Sequence, residues 1–389
     1  MSRPLKRIYI KILVDGKLKI LHKTHLNDDG RVAMKIGRKT IYAAASSSFL
    51  TSFLIHHPKL SDRIYSDILS FWFRHSGEVG PPYISFPFEY PPISGFITYI
   101  SMTLGGEIER YYLIFSIIIL IFYIILVESV MRITSEEDGV NELIVIFLAA
   151  SPSMILYMIY NFDVIFISLV ILSLFLLKAK RMRLSATALG LAALTKFMSF
   201  LLLPVIVPYI KGRRDRIAYI AISVGLFSVV NIILYILSPT IFPQTYLHHA
   251  KWGLEDSWLI YLFPDESSWN TAKLMSLILM AYALLKVYLS KVGDIYERCF
   301  MAFTAFLLTN YVFTPQMILW LLPFLAIMGW IPWPYFIVEF ANAGIILTWF
   351  SVPDPVKAYS LPQNLALLRA ITLFILLIQV YLHARRRER

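Results

Sequence analysis

Long apolar runs alternate with short basic clusters along most of this chain, and that alternation leaves few folds open to it. Runs at residues 111–131, 143–160, 162–177, 217–237, 272–289, 300–312, 317–330, 335–350 and 365–383 approach the length an α-helix needs to cross a bilayer. In hydrocarbon every backbone N–H and C=O must find a partner inside the segment, so such runs read as helices. With 58% hydrophobic and only 16% charged residues, most of the chain must be solvated by lipid. The net charge of +11 does not mark a nucleic-acid partner, because the basic residues form no single patch. They gather at residues 3–39, 178–183, 211–216 and 385–389, between the apolar runs, which is the positive-inside pattern. Both termini are therefore predicted to be cytoplasmic, and segments 57–110, 238–271 and 351–362 to face outward.

The first span, residues 41–55, is short and rich in Ala and Ser, which suits packing against other helices. Between the basic clusters at 178–183 and 211–216 lie only about 27 residues, whereas two full crossings need about 40. Lys196, Pro204 and Pro208 fall within that stretch, so two short or broken helices are predicted to meet inside the membrane. The expected fold class is an all-α polytopic membrane protein of about 10–12 transmembrane or half-membrane helices. It divides into a basic N-terminal segment (1–40), a transmembrane domain (41–383) and a basic tail (384–389). Residues 8–22 alternate apolar and polar around Asp15-Gly16, which reads as a β-hairpin or as an irregular basic tail. No cleavable signal pattern precedes the first span, which is expected to act as an uncleaved start signal. The lone Cys299 supports neither an intramolecular disulfide nor a Cys-based metal site.

Three patches carry more than apolar filler. The first is Tyr65-Ser66-Asp67-Ile68-Leu69-Ser70-Phe71-Trp72-Phe73, followed by Phe88-Glu89-Tyr90-Pro91-Pro92. The second is Ala188-Leu189-Gly190-Leu191-Ala192-Ala193-Leu194-Thr195-Lys196-Phe197, and the third Phe313-Thr314-Pro315-Gln316-Met317-Ile318-Leu319-Trp320. Asp67, near the bilayer surface among aromatics, is either a partly desolvated base or a helix cap paired with Arg63 or Arg74. Asp62 lacks that context and reads as a solvated loop residue. Glu89, ahead of two prolines, is either a binding residue beside Tyr90 or a tie to Arg74 or Arg110. Lys196 within the membrane must face an anion, such as a lipid phosphate, or pair with an acid such as Asp163. Asp163 itself either contacts an acceptor or caps a helix. His249 and Lys251 add cations on the Asp67 side, and Gln316 follows a proline that breaks an apolar run where only a cavity tolerates it. Adjacent histidines, 56-57 and 248-249, point apart and make poor metal sites, so no obligate metal is expected.

In this order the three patches resemble the membrane-embedded glycosyltransferases of the GT-C superfamily, most of all glycosyltransferase family 87 and the GPI-type mannosyltransferases. The resemblance covers roughly residues 41–330. It implies a GT-C-like bundle with a large first outer loop, and a polyprenyl-phosphate hexose, mannose foremost, as donor. It implies a lipid or glycan acceptor outside the membrane and inversion at the sugar, with no cofactor. The position that matches the family's outer-loop acid is Asp67, the expected general base, with Glu89, Tyr90, Asp163, Lys196, His249, Lys251 and Gln316 as binding candidates. A secondary transporter or lipid-sugar flippase is the alternative, since broken helices and an intramembrane lysine also mark transport pathways.

Overall fold

The computed structural model describes residues 38–60, 64–134 and 145–388 in full, and the backbone alone at 7–14, 17–26, 32–33 and 142–144. Sixteen α-helices lie among the described residues. The first eight are α1 (Arg38–Ile55), α2 (Asp67–His75), α3 (Pro92–Gly105), α4 (Ile108–Thr134), α5 (Glu142–Ala150), α6 (Pro152–Tyr157), α7 (Asp163–Lys178) and α8 (Met182–Thr195). The rest are α9 (Leu203–Ile206), α10 (Arg213–Leu237), α11 (Gln244–Lys251), α12 (Trp269–Leu289), α13 (Ile295–Thr309), α14 (Leu322–Met328), α15 (Pro334–Trp349) and α16 (Leu361–Arg387). Helices α4, α10, α12 and α16 are long and apolar enough to cross a membrane on length and composition alone. The chain is an integral membrane protein.

Helix α4 contains neither Gly nor Pro and shows how the bundle sorts its residues. Leu113, Ile117, Ile121 and Ile124 share an exposed face suited to lipid, while Tyr112, Phe115, Ile119 and Tyr123 are buried on the opposite one. Helix α7 is apolar and buried for most of its length, which makes it a central helix. It packs between α4 and α8, and α8 packs on α10. A Cβ on residue 190 would stand 2.8 Å from the Ser223 carbonyl of α10, so the α8–α10 crossing needs glycine there. Helices α12, α13, α15 and α16 form a second group, in which α16 touches both α13 and α15.

The stretch between the two basic clusters is broken as its length predicts. Helix α8 ends at Thr195, Lys196 is extended (φ −146°, ψ 120°), and Phe197–Leu202 continues as a 3₁₀ turn into α9. The run at 143–160, expected as one crossing, is instead two helices divided at Pro152. Pro152 lacks the N–H that a continuous helix requires, and Ser151 caps the new start by accepting the Met154 N–H at 3.1 Å. Within the expected outer loop, residues 92–105 are helical. Pro92 opens α3 and Gly106, at φ +70°, closes it. Helix α3 packs against α4 and α8, and Ser94 Oγ donates to the Thr195 carbonyl at 3.0 Å. The chain between α2 and α4 is thus a wall of the bundle.

In the N-terminal segment, β1 (Arg7–Val14) pairs antiparallel with β2 (Lys17–Leu26), and β2 with the short β3 (Val32–Ala33). The Asp15-Gly16 turn lies outside the described residues, as do Asp62 and Arg63, so the hairpin stays an expectation.

Candidate active site

Asp67 is the first residue of α2, at the positive end of that helix, and its chain neighbours Ser66 and Ile68 are held by three hydrogen bonds. Ser66 Oγ donates to the Ile159 carbonyl at 3.2 Å, the Ile68 N–H donates to the Tyr160 carbonyl at 3.2 Å, and Tyr111 Oη donates to the Ile68 carbonyl at 2.8 Å. Helix α2 is thereby docked on the turn between α6 and α7. From that turn Asn161 reaches back, its Nδ2 donating to Asp67 Oδ2 at 2.6 Å and to Tyr90 Oη at 2.9 Å. Tyr90 is placed by a clamp. The Tyr83 hydroxyl donates to the Tyr90 and Pro91 carbonyls, both at 2.8 Å, and accepts the Gly95 N–H at 2.9 Å. Tyr83 has a positive φ of 71°, and a Cβ on residue 95 would lie 2.1 Å from its hydroxyl. The clamp thus requires glycine at 95.

Burial raises the Asp67 carboxyl to about 6, while hydrogen bonds from Tyr65 and Asn161 and the charges of Lys196 and Arg74 oppose that rise. Arg74 does not pair with Asp67. Its Nη2 lies 2.6 Å from Glu89 Oε1, and His75 Nε2 lies 3.5 Å from Glu89 Oε2. Burial alone would raise the Glu89 carboxyl, but His75 and Arg74 outweigh it and hold the group below its usual range. Of the two ties expected for Glu89, the one to Arg74 forms, whereas Arg110 pairs with Glu107 at 3.0 Å.

Lys196 and Asp163 meet. Lys196 Nζ donates to Asp163 Oδ1 at 2.9 Å and Oδ2 at 3.0 Å, and Trp320 Nε1 donates to Oδ1 at 2.6 Å. Asp163 is fully buried and Lys196 nearly so. The ammonium also lies 5.3 Å from the centre of the Tyr90 ring and 5.7 Å from that of Trp320. Of the two readings open for Lys196, the acid pair is what forms within the chain, and it occupies the carboxylate of Asp163.

Two cavities share this framework. A polar one of about 430 Å³ is lined by Asp67, Arg74, Glu89, Glu255 and Asp256, with Tyr160 and Trp349 among its aromatics. An apolar one of about 380 Å³ is lined by Lys196, Phe197, His249, Met280, Tyr311 and Trp320. Glu89, Tyr90, Trp252, Thr314 and Gln316 line both, so the cavities adjoin along one wall. Phe197 and Tyr246 connect the apolar cavity to an open groove of about 420 Å³ walled by Phe227, Ile232 and Tyr235.

Of the residues singled out in the sequence, Asp67 lines the polar cavity, Lys196 and His249 the apolar one, and Glu89, Tyr90 and Gln316 both. Lys251 is exposed at the end of α11 and lines neither, because the helix turns it away from His249. Burial, with the charges of His248 and Lys196, lowers the His249 imidazole to about 4. It is neutral at pH 7 and serves as a ring edge against Tyr90, 5.4 Å between centres, not as a cation. Among the described residues no group of three or more His, Cys, Asp or Glu side chains is placed to hold a metal.

Sequence reasoning missed Asn161, Glu255, Asp256 and Arg369. Arg369, fully buried in α16, donates through Nη1 to Asn342 Oδ1 at 2.7 Å and through Nη2 to the Asp256 and Phe313 carbonyls. A lone arginine near the start of the last apolar run was a visible signal, since such a charge in a membrane helix needs an interior partner.

The model of glycosyltransferase family 87 matches residues 88–331, well over half of the chain, including Glu89, Tyr90, Asp163, Lys196 and Gln316. No curated protein matches. Among solved structures the chain is similar to ArnT from Cupriavidus metallidurans bound to undecaprenyl phosphate, at 17% identity and a TM-score of 0.47, over 90% of this chain and 72% of that one. On the family match this chain belongs to glycosyltransferase family 87.

Proposed function

We propose that the chain transfers a hexose, mannose foremost, from a polyprenyl-phosphate sugar to an acceptor hydroxyl on the outer face of the membrane, with both termini cytoplasmic. The observation that carries this reading is the pairing of two adjoining cavities of opposite character across Tyr90 and Gln316, one with a carboxylate and the other with an ammonium. The acceptor hydroxyl enters the polar cavity and gives its proton to Asp67. Its oxygen forms the new bond to the anomeric carbon as the bond from that carbon to the phosphate oxygen breaks, from the opposite face, with inversion. The donor phosphodiester carries one negative charge and the departing polyprenyl phosphate gains another. Stabilising that added charge is the task assigned to Lys196. Its ammonium has three protons, and two hydrogen bonds go to Asp163, which leaves one for the phosphate. The apolar cavity and the open groove beyond Phe197 and Tyr246 suit the prenyl chain.

A general base works best with a pKa near the ambient pH, and a carboxyl at about 6 is ionised at neutrality yet more basic than an exposed one. The basic clusters at 178–183, 211–216 and 385–389 support the orientation. The test uses purified protein in liposomes with radiolabelled polyprenyl-phosphate mannose or glucose, following label into lipid and glycan fractions. Transfer is expected from wild type and lost in Asp67→Asn. Transfer retained by that variant would remove Asp67 as base, and movement of the donor across the bilayer with no glycosidic bond formed would favour a flippase.

A further inference from the structure

The polar cavity has a second wall that the transfer chemistry above does not use. Segment 255–257 runs beside 311–316 and is bonded to it. The Glu255 N–H donates to the Tyr311 carbonyl at 3.2 Å and the Phe313 N–H to the Glu255 carbonyl at 3.0 Å, a parallel bridge between two irregular strands. Arg369 fastens both strands from behind, donating to the Asp256 and Phe313 carbonyls, with its guanidinium 3.7 Å from the centre of the Phe313 ring. Asp256 adopts a left-handed φ of 51°, a conformation that aspartate tolerates better than most residues. Gln363 Nε2 donates to its Oδ1 at 3.2 Å. Much polar structure is spent on holding this wall rigid.

What the wall presents is unbalanced. Asp256 Oδ2, Gln316 Oε1 and Thr314 Oγ1 are buried and have no hydrogen-bond partner among the described residues, although all three residues line the polar cavity. Exposures of 1% for Asp256, 4% for Gln316 and 6% for Thr314 mean that solvent does not meet that need across an open surface. Leaving such atoms unmet is costly, so a ligand that meets them gains. Gln316 Oε1 only accepts hydrogen bonds, Thr314 Oγ1 can accept one, and Asp256 Oδ2 accepts whenever its carboxyl, which burial raises, is ionised. Glu255, raised by burial and by its neighbour Asp256, adds another carboxyl, and the guanidinium of Arg74 is already paired with Glu89. With Asp67 and Glu89 ionised against the guanidinium of Arg74, the lining carries an excess of negative charge, which disfavours an anionic ligand. A ligand carrying several O–H donors would find acceptors, with Tyr160, Trp252 and Trp349 beside them for its C–H faces.

We infer that Asp256, Gln316 and Thr314 form a hydroxyl-binding wall that selects a neutral polyhydroxylated acceptor, gripping hydroxyls other than the one that reacts. This rests on the reading of the Asp67 cavity as the acceptor site. The wall makes the acceptor a sugar or cyclitol unit and excludes a simple lipid alcohol or an acidic sugar. Asp256 and Gln316 touch the acceptor and orient it without exchanging protons with it.

The experiment crosses protein variants with acceptor variants. Octyl α-mannoside, each of its monodeoxy derivatives, octanol, octyl glucuronide and octyl glucosaminide are offered as acceptors to full-length protein in liposomes. Binding of each is measured in parallel by the shift of its thermal unfolding. Wild type is expected to use the mannoside, to ignore octanol and the glucuronide, and to lose roughly tenfold on the deoxy derivative that deletes the hydroxyl held by Gln316. In Gln316→Met that penalty should vanish, because the parent acceptor falls to the level of its deoxy form. A merely structural role would lower both acceptors equally and leave their ratio at about ten. Asp256→Asn should behave likewise for a second hydroxyl. Equal use of octanol and mannoside, equal loss on all acceptors in both variants, or a preference for the cationic glucosaminide would overturn the inference while leaving sugar transfer standing. Glycoside binding with no transfer to any acceptor would keep the wall and overturn the proposed reaction. Neither binding nor transfer would overturn both.

Discussion

Lys196→Met separates what the Lys196–Asp163 pair does for the fold from what it does for the reaction. Asp163 is wholly buried and accepts three hydrogen bonds, two from Lys196 Nζ and one from Trp320 Nε1. Removing the ammonium leaves a carboxylate in the bundle interior with one neutral donor, and breaking a buried pair in this way costs roughly 3–5 kcal/mol. With side-chain exposures of 7% and 0%, no allowance for solvent screening is due. The second variant, Asp163→Asn/Lys196→Met, removes both charges and keeps an amide oxygen for the Trp320 N–H. Its stability should return to within about 1–2 kcal/mol of wild type, since replacing both members of a buried pair is often neutral. Activity should part company with stability. A charge-assisted hydrogen bond to the departing phosphate is worth about 1.5–3 kcal/mol, roughly 10- to 150-fold in rate, and neither variant can supply it. Unfolding in mixed micelles gives the first quantity and single-turnover transfer from a polyprenyl-phosphate sugar the second. A double variant that regains both would show that Lys196 serves only to neutralise Asp163. A single variant as stable as wild type would refute the buried pair itself.

Asp67→Asn is expected to slow transfer by about 10²- to 10⁴-fold, the usual worth of a general base. It should also stabilise the protein. Because the folded carboxyl sits at about 6, above its unfolded value of 3.8, the folded state binds more protons between those two values. Stability therefore falls as pH rises from about 4 to about 6 and then levels off, and at pH 7 the amide should recover about 2–3 kcal/mol. In wild type, single-turnover rates should drop about tenfold per pH unit below 6, and a flat profile from pH 4 to 8 would contradict a titrating base. Tyr83→Phe should cost about 1–3 kcal/mol by stranding the Gly95 N–H and two carbonyls, and should lower transfer by releasing Tyr90. His249→Gln should change donor affinity by no more than a neutral contact is worth, about 1 kcal/mol, because the imidazole carries no charge at pH 7; a large loss of donor binding would show that it is charged.

The sequence shows the membrane bundle because its signal is additive: each apolar run and each basic cluster speaks for itself. The broken helix at Lys196 is legible for a different reason, since too few residues separate two basic clusters to cross the membrane twice. Helix α3 is hidden by its polar face, as Ser94, Thr98 and Ser101 turn inward and weaken the apolar pattern that identifies a helix in lipid. In the site, Asp67, Tyr90, Lys196 and Gln316 stand out locally, as a carboxylate among aromatics or a polar group in an apolar run. Asn161 and Asp256 do not, because their importance comes from partners 94 and 107 positions away, Asp67 and Gln363. Lys251 misleads for the same reason. Two positions along a helix from His249, it has the composition of a site residue and the wrong face.

Three interruptions of helical backbone explain why these distant residues meet. Between α6 and α7 the chain leaves the α-helix at 158–162, between α8 and α9 at Lys196, and between α13 and α14 at 310–314, where a 3₁₀ turn over 315–320 follows. In hydrocarbon each break frees backbone groups that neighbouring lipid cannot satisfy, so each must turn toward protein or a cavity. Here all three turn toward the same place. Tyr160 of the first lines the polar cavity, Lys196 of the second the apolar one, and Thr314 and Gln316 of the third both. The breaks are also bonded to one another across the bundle, through Lys196 to Asp163 at the start of α7 and through Trp320 to the same carboxylate. A single residue, Asp163, therefore joins the edges of all three. The cavity follows from this arrangement, because three helices that stop short at one level leave a space their side chains do not fill. Restoring continuity at one break, as Pro315→Ala would encourage between α13 and α14, should therefore shrink both cavities together and not one alone. Donor and acceptor KM should rise in parallel in that variant, and a rise in one without the other would mean that the two cavities are built independently.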